Sequence, residues 1–320
     1  MNKTTVIHHS ADYDGLFCRE IARKFLPGAE LIGWDFGDAP LEIPSEGQIY
    51  ILDLPVDRVF GMKFGEEGHL PWLERVIWID HHKSSIETHN KTIPGYRIDG
   101  VAACRLAWQW FQGDLRKCTC EVPHSEGHYD YCPRGRLPSK EAFIKRAVIE
   151  PLAVRLAGEY DIWDKRDPDA EVFQFGLRSR DLTPEIWGDL LAGIPQMVLD
   201  LLSDGRLLQR YQQQNDANVV NYRSFLVEFD GLKFLALNTA RCNSLTFAAK
   251  DVPETGHDAL MGFYWNGKAW TVSLYHAKHR TDLDLSKIAV NHGGGGHRGA
   301  CGFQASELPW LPTQYITPIS

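Results

Sequence analysis

The sequence lacks any apolar run of the roughly 18 residues that a membrane-spanning helix needs. Its first residues also lack the apolar segment of a secretory signal, so we expect a cytoplasmic protein with no membrane partner. The seven cysteines are an odd number and mostly scattered, which fits a reducing compartment better than a disulfide framework. Positive charge is not in excess either: the formal net charge of −8 disfavours a general duplex-DNA binder, although metal ions would allow a small anionic substrate.

The N-terminal part alternates between strand and helix patterns. A helix pattern covers Gly15 to Phe25, where apolar residues recur one turn apart until Pro27-Gly28. Short, continuously apolar strands are predicted at Thr4–His9, Leu31–Trp34, Gln48–Leu52 and Arg75–Ile79. Strands of this kind, interrupted by helices, predict an α/β fold with a parallel sheet and helices on both of its faces.

The 320 residues are enough for two domains. We predict a first domain over residues 1–194, a helical linker over 195–222 and a smaller α/β domain over 223–320. Short strands separated by Asp230-Gly231 and Asn266-Gly267 predict a mixed sheet in that second domain. Residues 113–139, rich in Cys, His, Gly and Pro, read as a loop inserted in the first domain.

Asp and His residues recur at the ends of these strands, the edge where parallel sheets bind ligands. They occur at His8-His9 to Asp14, at Asp53 and at Asp80-His81-His82, and Asp161 ends a later helix pattern. Taken singly, Asp14 or Asp53 reads as a helix N-cap. Together, carboxylates and imidazoles form a ligand set suited to Mn²⁺, Fe²⁺ or Zn²⁺, and several carboxylates are needed to hold two ions about 4 Å apart.

These motifs resemble, in order, the four motifs of the DHH phosphoesterase superfamily. Near the C-terminus, Gly293-Gly294-Gly295-Gly296-His297-Arg298 resembles the glycine-rich His signature of the domain that accompanies it. The resemblance covers nearly the whole chain and is nearest to the oligoribonuclease branch, because Tyr160-Asp161-Ile162-Trp163 looks like the fourth motif of that branch.

The resemblance implies a centre of two divalent ions, with Mn²⁺ as the expected metal. One ion would be held by His8, Asp12 and Asp53, and His8 is preferred over His9. The other would be held by Asp14, Asp53, His81 and Asp161, with Asp53 bridging the two ions. Asp80 would orient His81. His82 would contact the substrate phosphate and protonate the leaving oxygen.

The glycine run in the second domain is expected to bind the end of the substrate away from the metals. Glycines allow the backbone to approach a phosphate or a base closely, and His297 and Arg298 supply positive charge. The implied substrate-binding residues are Gly294, Gly295, Gly296, His297 and Arg298. In the inserted loop, Cys118, Cys120, His124, His128 and Cys132 leave two readings open, a structural Zn²⁺ site and a Cys-rich surface loop.

The predicted activity is hydrolysis of short oligonucleotides to nucleoside monophosphates by a two-metal exonuclease or phosphodiesterase. Alternatives with the same chemistry are hydrolysis of linear or cyclic dinucleotides, removal of a phosphate from a nucleoside 3′,5′-bisphosphate, and a RecJ-like single-strand DNA exonuclease. The alternative from another class is a nucleotide-binding regulatory module that performs no reaction. The preference between RNA and DNA and the oligomeric state, including a homodimer, stay open.

Overall fold

The computed structural model describes residues 3–61, 71–88, 93–112, 150–164, 166–240, 242–248 and 256–310. The chain divides into two compact units, Met1–Arg206 and Leu207–Ser320, and each unit has its own sheet. The predicted α/β fold with two sheets is therefore confirmed. The predicted domain limits at residues 194 and 223 stay predictions, and the cysteine-rich residues 118–132 lie outside the described residues. None of the helices in those described ranges combines the length and apolarity that a membrane crossing requires.

The sheet of the first unit consists of four parallel strands in the order β2-β1-β3-β4. The strands are β1 (Thr4–His9), β2 (Glu30–Trp34), β3 (Gln48–Leu52) and β4 (Val76–Ile79). Because all four run in the same direction, their C-terminal ends meet at one edge of the sheet, where the predicted site residues follow.

Both faces of this sheet are covered, because successive strand residues point to opposite sides. Val6, Leu52 and Ile79 pack into one core cluster, whereas Ile7, Ile51 and Trp78 pack into another. The first cluster includes residues of α1 (Tyr13–Phe25), α4 (Ala103–Gln112) and α5 (Leu152–Asp161). The second includes α2 (Val56–Phe60), so helices lie on both faces, as predicted.

Other helices lie in this unit, and the last of them extends into the second unit. They are α3 (Lys83–Thr88), α6 (Asp169–Arg178), α7 (Pro184–Ala192) and α8 (Pro195–Arg223), and Pro71–Arg75 forms a 3₁₀ turn. Helix α8 covers the predicted linker, and the division between the two units falls within it. Gly176 and Gly205 allow α6 and α8 to approach closely: a Cβ on Gly176 would lie 2.1 Å from the carbonyl oxygen of Leu201.

The second unit contains a mixed six-stranded sheet in the order β5-β6-β7-β8-β10-β9. Its strands are β5 (Phe225–Phe229), β6 (Leu232–Asn238), β7 (Ala259–Trp265), β8 (Trp270–His276), β9 (Gly295–His297) and β10 (Ala300–Ala305). Only β6 and β7 pair in parallel among these strands. Asp230 and Gly231 have φ of 47° and 76°, the left-handed backbone that the predicted hairpin turn requires. Helix α9 (Ser286–Asn291) precedes the glycine run.

Candidate metal centre

The register of the parallel strands brings the predicted site residues side by side. His8 in β1 is paired with Leu52 in β3, and Leu52 is paired with Ile79 in β4. The residues that follow in each strand are therefore neighbours at the same edge, namely His9, Asp53 and Asp80. This is the juxtaposition that strand-end carboxylates and imidazoles predict.

Asp53 occupies the centre of the site. Its φ is 61°, a left-handed backbone that is uncommon for residues other than glycine and tends to be retained at functional sites. Its N–H donates to the carbonyl oxygen of Ile79 at 2.9 Å, which fixes this turn. The side chain is buried, with Oδ2 at 3.4 Å from His9 Nδ1 and Oδ1 at 3.3 Å from His81 Nε2. Each oxygen of this carboxylate therefore faces a different imidazole.

His9, Asp12 and Asp53 form the first group with the spacing of metal ligands. Asp12 is the N-cap of α1, where Oδ1 accepts a hydrogen bond from the Gly15 N–H at 2.9 Å. Its other oxygen, Oδ2, lies 2.9 Å from His9 Nδ1. The Asp12 carboxylate thus caps the helix with one oxygen and faces the site with the other, so the roles of N-cap and candidate metal ligand are compatible.

The preference for His8 over His9 is not supported by this geometry. Side chains alternate along β1, so adjacent histidines cannot both turn toward Asp53. His8 is buried, and its Nδ1 donates to the carbonyl oxygen of His9 at 2.7 Å. Burial lowers the pKa of His8, with small contributions of the same sign from Arg19 and Arg23. His9 is the residue that the fold places with the carboxylates.

Asp14, His81 and Asp161, three of the four residues expected to hold the other ion, form the second group with the spacing of metal ligands. His81 Nε2 lies 3.3 Å from Asp161 Oδ2 and 3.7 Å from Asp14 Oδ2. The Asp14 carboxylate is buried and accepts hydrogen bonds from the backbone N–H groups of Ala103 and Cys104, both at 2.8 Å. These two donors belong to the first turn of α4, which anchors Asp14 across 89 residues of sequence.

The Asp80 carboxylate contacts the ring of His82 and the backbone of His81, and its expected role in orienting His81 stays a prediction. Its Oδ1 accepts from the backbone N–H of His81 at 2.7 Å and from His82 Nδ1 at 2.7 Å. The carboxylate therefore fixes the ring of His82, whose side chain is about a third exposed, at 36%. Asp53, His81 and His82 also lie at metal-ligand spacing. The assignment of His82 to the substrate stays a prediction.

The electrostatics of the site show buried carboxylates balanced by imidazoles. Burial opposes the protonation of His9 and His81, but neighbouring carboxylates outweigh it and raise their pKa values to about 11 and about 10. Burial raises the pKa of Asp161 to about 6 and that of Asp14 well above its usual range. Against burial, the two imidazoles lower the pKa of Asp53 to about 2. Protons on histidine therefore neutralise the site when no cation is bound.

The donor atoms fit divalent ions. Three buried atoms of these groups have charged partners only within the same cluster and no further hydrogen bond in the described part of the chain: His9 Nδ1, Asp53 Oδ1 and Asp161 Oδ2. Buried polar atoms are normally satisfied, so donor atoms that converge on one another in this way fit a shared cation. Oxygen and imidazole nitrogen donors without thiolate suit Mn²⁺, Fe²⁺ or Zn²⁺. Divalent ions would replace the protons that the histidines otherwise hold.

Asp35 is a further residue of this site that the sequence analysis missed. It follows β2 directly, and its Oδ1 lies 3.1 Å from His9 Nε2, the ring nitrogen opposite the one facing Asp12 and Asp53. A carboxylate behind a metal-binding imidazole fixes its tautomer and ring orientation. The rule that identified Asp53, an Asp directly after a parallel strand, applies equally to Asp35 and would have identified it.

The glycine run lies in the second unit, where β9 and β10 form a short antiparallel pair. A Cβ on Gly294 would lie 2.1 Å from the Gly302 oxygen, and one on Gly296, whose φ is 131°, would lie 2.7 Å from the Cys301 Cα. The fold therefore requires both glycines. A Cβ on Gly295 would meet nothing within 4 Å, and His297 is exposed.

Hydrogen bonds within the second unit already occupy part of the Arg298 guanidinium. It donates to the backbone oxygens of Leu283, at 3.0 Å, and Asp282. The predicted role of this segment in substrate binding stays a prediction.

No protein-family model and no curated protein matches this chain. Solved structures are similar over most of its length. A structure described as the DHH domain of a member of a family of ribosomal proteins has 13% identity and a TM-score of 0.49, covering 95% of this chain and 83% of that one. A pGpG-specific phosphodiesterase from Vibrio cholerae has 12% identity and a TM-score of 0.45, covering 95% and 93%. Manganese-bound exonuclease RecJ has 13% identity and a TM-score of 0.42, covering 95% and 86%.

A DHH domain is thus among the structures to which this chain is similar.

Proposed function

We propose that this chain is a metal-dependent phosphodiesterase that binds two divalent ions, Mn²⁺ first among them, and hydrolyses short oligonucleotides to nucleoside monophosphates. The observation that carries the proposal is the position of Asp53. One of its oxygens faces the group of His9 and Asp12, and the other faces the group of His81, Asp14 and Asp161. A carboxylate shared between two ligand groups is what a two-metal site needs as a bridge.

When bound, a pair of divalent ions supplies Lewis-acid stabilisation of phosphoryl oxygens and makes water more acidic. The protein contributes the positioning. Asp35 orients His9, and the first turn of α4 holds Asp14. A phosphodiester between these groups would have His82 beside it.

His82 is suited to protonate the leaving oxygen. Burial lowers its pKa, but the Asp80 carboxylate outweighs burial and raises the pKa above 6.5. Asp80 holds Nδ1, and Nε2 makes no hydrogen bond to the described residues. A general acid needs a proton and a nitrogen that faces its substrate; the raised pKa of His82 favours the protonated imidazole, and Nε2 is available to a substrate.

The net charge of −8 supports a short substrate. Affinity for a long strand comes largely from basic side chains along its phosphates, and an acidic protein gains little from such contacts. A dinucleotide or another very short oligonucleotide can instead be held mainly by the metal ions at one phosphate.

The proposal is tested with metal-loaded protein on four substrates: a dinucleotide RNA, a single strand of about 20 nucleotides, a cyclic dinucleotide and a nucleoside 3′,5′-bisphosphate. We expect fastest release of monophosphate from the dinucleotide. Several kcal/mol of metal-derived stabilisation correspond to about a thousandfold in rate, so Asp53→Asn is expected to lose at least that much. Metal content per chain, measured by mass spectrometry, is expected to fall below two ions.

Asp99→Asn is the matched control, because this aspartate is exposed and outside both ligand groups. Preferential cleavage of the long strand would replace the proposal with a RecJ-like exonuclease. Binding of nucleotides without turnover of any substrate with Mn²⁺, Mg²⁺, Fe²⁺ or Zn²⁺ would leave a regulatory module.

A further inference from the structure

Phe36 is an exposed aromatic residue beside the candidate metal centre. Its relative exposure is 51%, unusual for a phenylalanine this close to a buried cluster. The centroid of its ring lies 5.6 Å from that of His9 and 6.1 Å from that of His82. Phe36 therefore contacts both an imidazole of the first ligand group and the predicted general acid.

The backbone around Phe36 is fixed by its own hydrogen bonds. The Asp35 carboxylate accepts the Phe36 N–H at 2.7 Å, and the Asp38 carboxylate accepts the Asp35 N–H at 2.9 Å. Trp34, buried at the end of β2, donates from its indole to the Ala39 oxygen at 3.1 Å and so closes the turn. These hydrogen bonds stabilise the short turn that carries the ring, which limits the entropy lost when a ligand stacks on it.

None of the ring contacts of Phe36 with the neighbouring described residues is a parallel stack. The interplanar angles are 72° with His9, 70° with His82 and 67° with Trp34, so each of these contacts is edge-to-face. About half of the side chain faces solvent. An inorganic phosphate bound at the ligand groups would leave this surface exposed. A nucleotide carries a planar base one ribose away from its phosphate, and that base could cover the ring.

From these contacts we infer that Phe36 is a stacking site for the nucleobase next to the scissile phosphate, and that it sets a preference for nucleotides over other phosphate esters. The inference rests on the proposed function, because it places the phosphate at the ligand groups. It adds a specificity-determining residue that no motif of the sequence identifies. Every base has a π face, so the preference is for a base as such and not for one sequence.

The test compares ligands with and without a base. Kinetic substrates are a 5′-phosphorylated diadenosine and the same molecule with tetrahydrofuran residues in place of both nucleosides. Binding probes, used with Mn²⁺-loaded protein in a calorimeter, are AMP and ribose 5-phosphate. Base–aromatic stacking is typically worth about five- to 150-fold in affinity. Phe36→Leu is expected to weaken AMP binding and kcat/KM for the diadenosine by a factor in that range, while the base-free ligands are unaffected.

Two variants make the result specific. Phe36→Trp retains a stacking face and is expected to restore or exceed wild-type values with base-containing ligands. Trp265→Leu removes an equally exposed ring, at 49%, from β7 of the other unit, and is expected to change nothing.

Equal losses with base-containing and base-free ligands would overturn the inference, because they would mean that Phe36 acts only by supporting His9 and His82. A preference of Phe36→Leu for AMP over ribose 5-phosphate as strong as that of the wild type would overturn it as well. The binding arm does not require turnover. If the wild type hydrolyses none of the oligonucleotides, the proposed function fails, and the calorimetry still decides whether Phe36 stacks on a base.

Discussion

The two candidate regions of this protein are built on opposite principles. In the first unit, most of the candidate site residues lie at or next to the ends of parallel strands, several of them are buried, and Asp12, Asp14 and Asp80 each accept a backbone N–H. In the second unit, the glycine run contributes to a short antiparallel strand pair that ends in the exposed His297. Its closest contacts are with residues of β10 in the same unit. The candidate ligands are thus preorganised in one region, whereas the other offers an accessible backbone.

The largest expected effect comes from Gly15→Ala, a single methyl group at the base of the buried region. A Cβ on Gly15 would lie 2.2 Å from the His9 oxygen and 2.6 Å from the His9 Cβ. Either β1 or the start of α1 must shift, and these elements carry His9, Asp12 and Asp14. We expect loss of metal at both ligand groups, loss of activity, and a free energy of unfolding lower by about 1–3 kcal/mol.

Metal content and denaturant unfolding measure this effect. The matched control is Gly188→Ala in α7, where a Cβ meets nothing within 4 Å. Alanine is the better helix former by about 1 kcal/mol, so this control is expected to be at least as stable as the wild type. A Gly15→Ala protein that retained two ions per chain would show that the close contact with His9 does not set the site.

Asp35→Asn is expected to have the next largest effect. Loss of the carboxylate behind a metal-binding histidine typically lowers metal affinity or activity by about 10- to 100-fold. Calorimetric titration of the metal-free protein with Mn²⁺ measures the affinity without any substrate. Asp189→Asn, an exposed aspartate of α7, serves as the control. An unchanged Mn²⁺ affinity would mean that the 3.1 Å contact between Asp35 and His9 does not orient the ligand.

How far the sequence predicts each region depends on how local its determinants are. The parallel sheet and the meeting of Asp53, His81 and Asp80 followed from strand periodicity and from the common direction of the strands. The choice between His8 and His9 could not be predicted in the same way. The two histidines are adjacent at the end of β1, so their side chains point to opposite faces, and the sequence does not show which face the carboxylates occupy. The partner of Asp80 depends on a side-chain rotation that no spacing encodes.

Asp14 is fixed by residues far away in the sequence, and this contact could not be predicted either. Its carboxylate receives N–H groups from α4, and only the packed structure shows that a helix beginning at Ala103 starts beside it. In the second unit, sequence patterns predicted the hairpin turn at Asp230-Gly231 but not which glycines of the run the fold requires. That distinction depends on distances of about 2–3 Å to residues of β10.

Gly295→Ala isolates substrate approach in the second region. Because a Cβ at this position meets nothing within 4 Å, we expect the variant to have wild-type stability. If the glycine run binds the substrate, we expect KM to rise by about fivefold, equivalent to about 1 kcal/mol. Gly296→Ala is the contrasting variant, since its φ of 131° and its 2.7 Å contact with Cys301 make it destabilising. KM and urea unfolding of both variants separate the two roles. Wild-type KM for Gly295→Ala would remove this glycine from the substrate-binding set.

The smallest expected effect concerns pH and arises only in the buried region. In the metal-free protein, His9 and His81 have pKa values of about 11 and about 10, above the ordinary value of 6.5. A group whose folded pKa is raised stabilises the fold fully below its unfolded pKa and loses that contribution as the pH rises toward the folded one. Between about pH 6.5 and 8.5 the folded chain therefore holds more protons than the unfolded chain, and its stability is expected to fall.

Urea unfolding in the presence of a chelator measures this slope, and His9→Gln is expected to reduce it by removing one of the two groups. With Mn²⁺ bound, the cation replaces the protons, so the decline is expected to disappear and the metal affinity to rise with pH over the same range. The exposed His297 has no carboxylate partner among the described residues, and His297→Gln is expected to leave the slope unchanged. A metal-free stability that stays constant or rises with pH would mean that the folded site holds no more protons than the unfolded chain over this range.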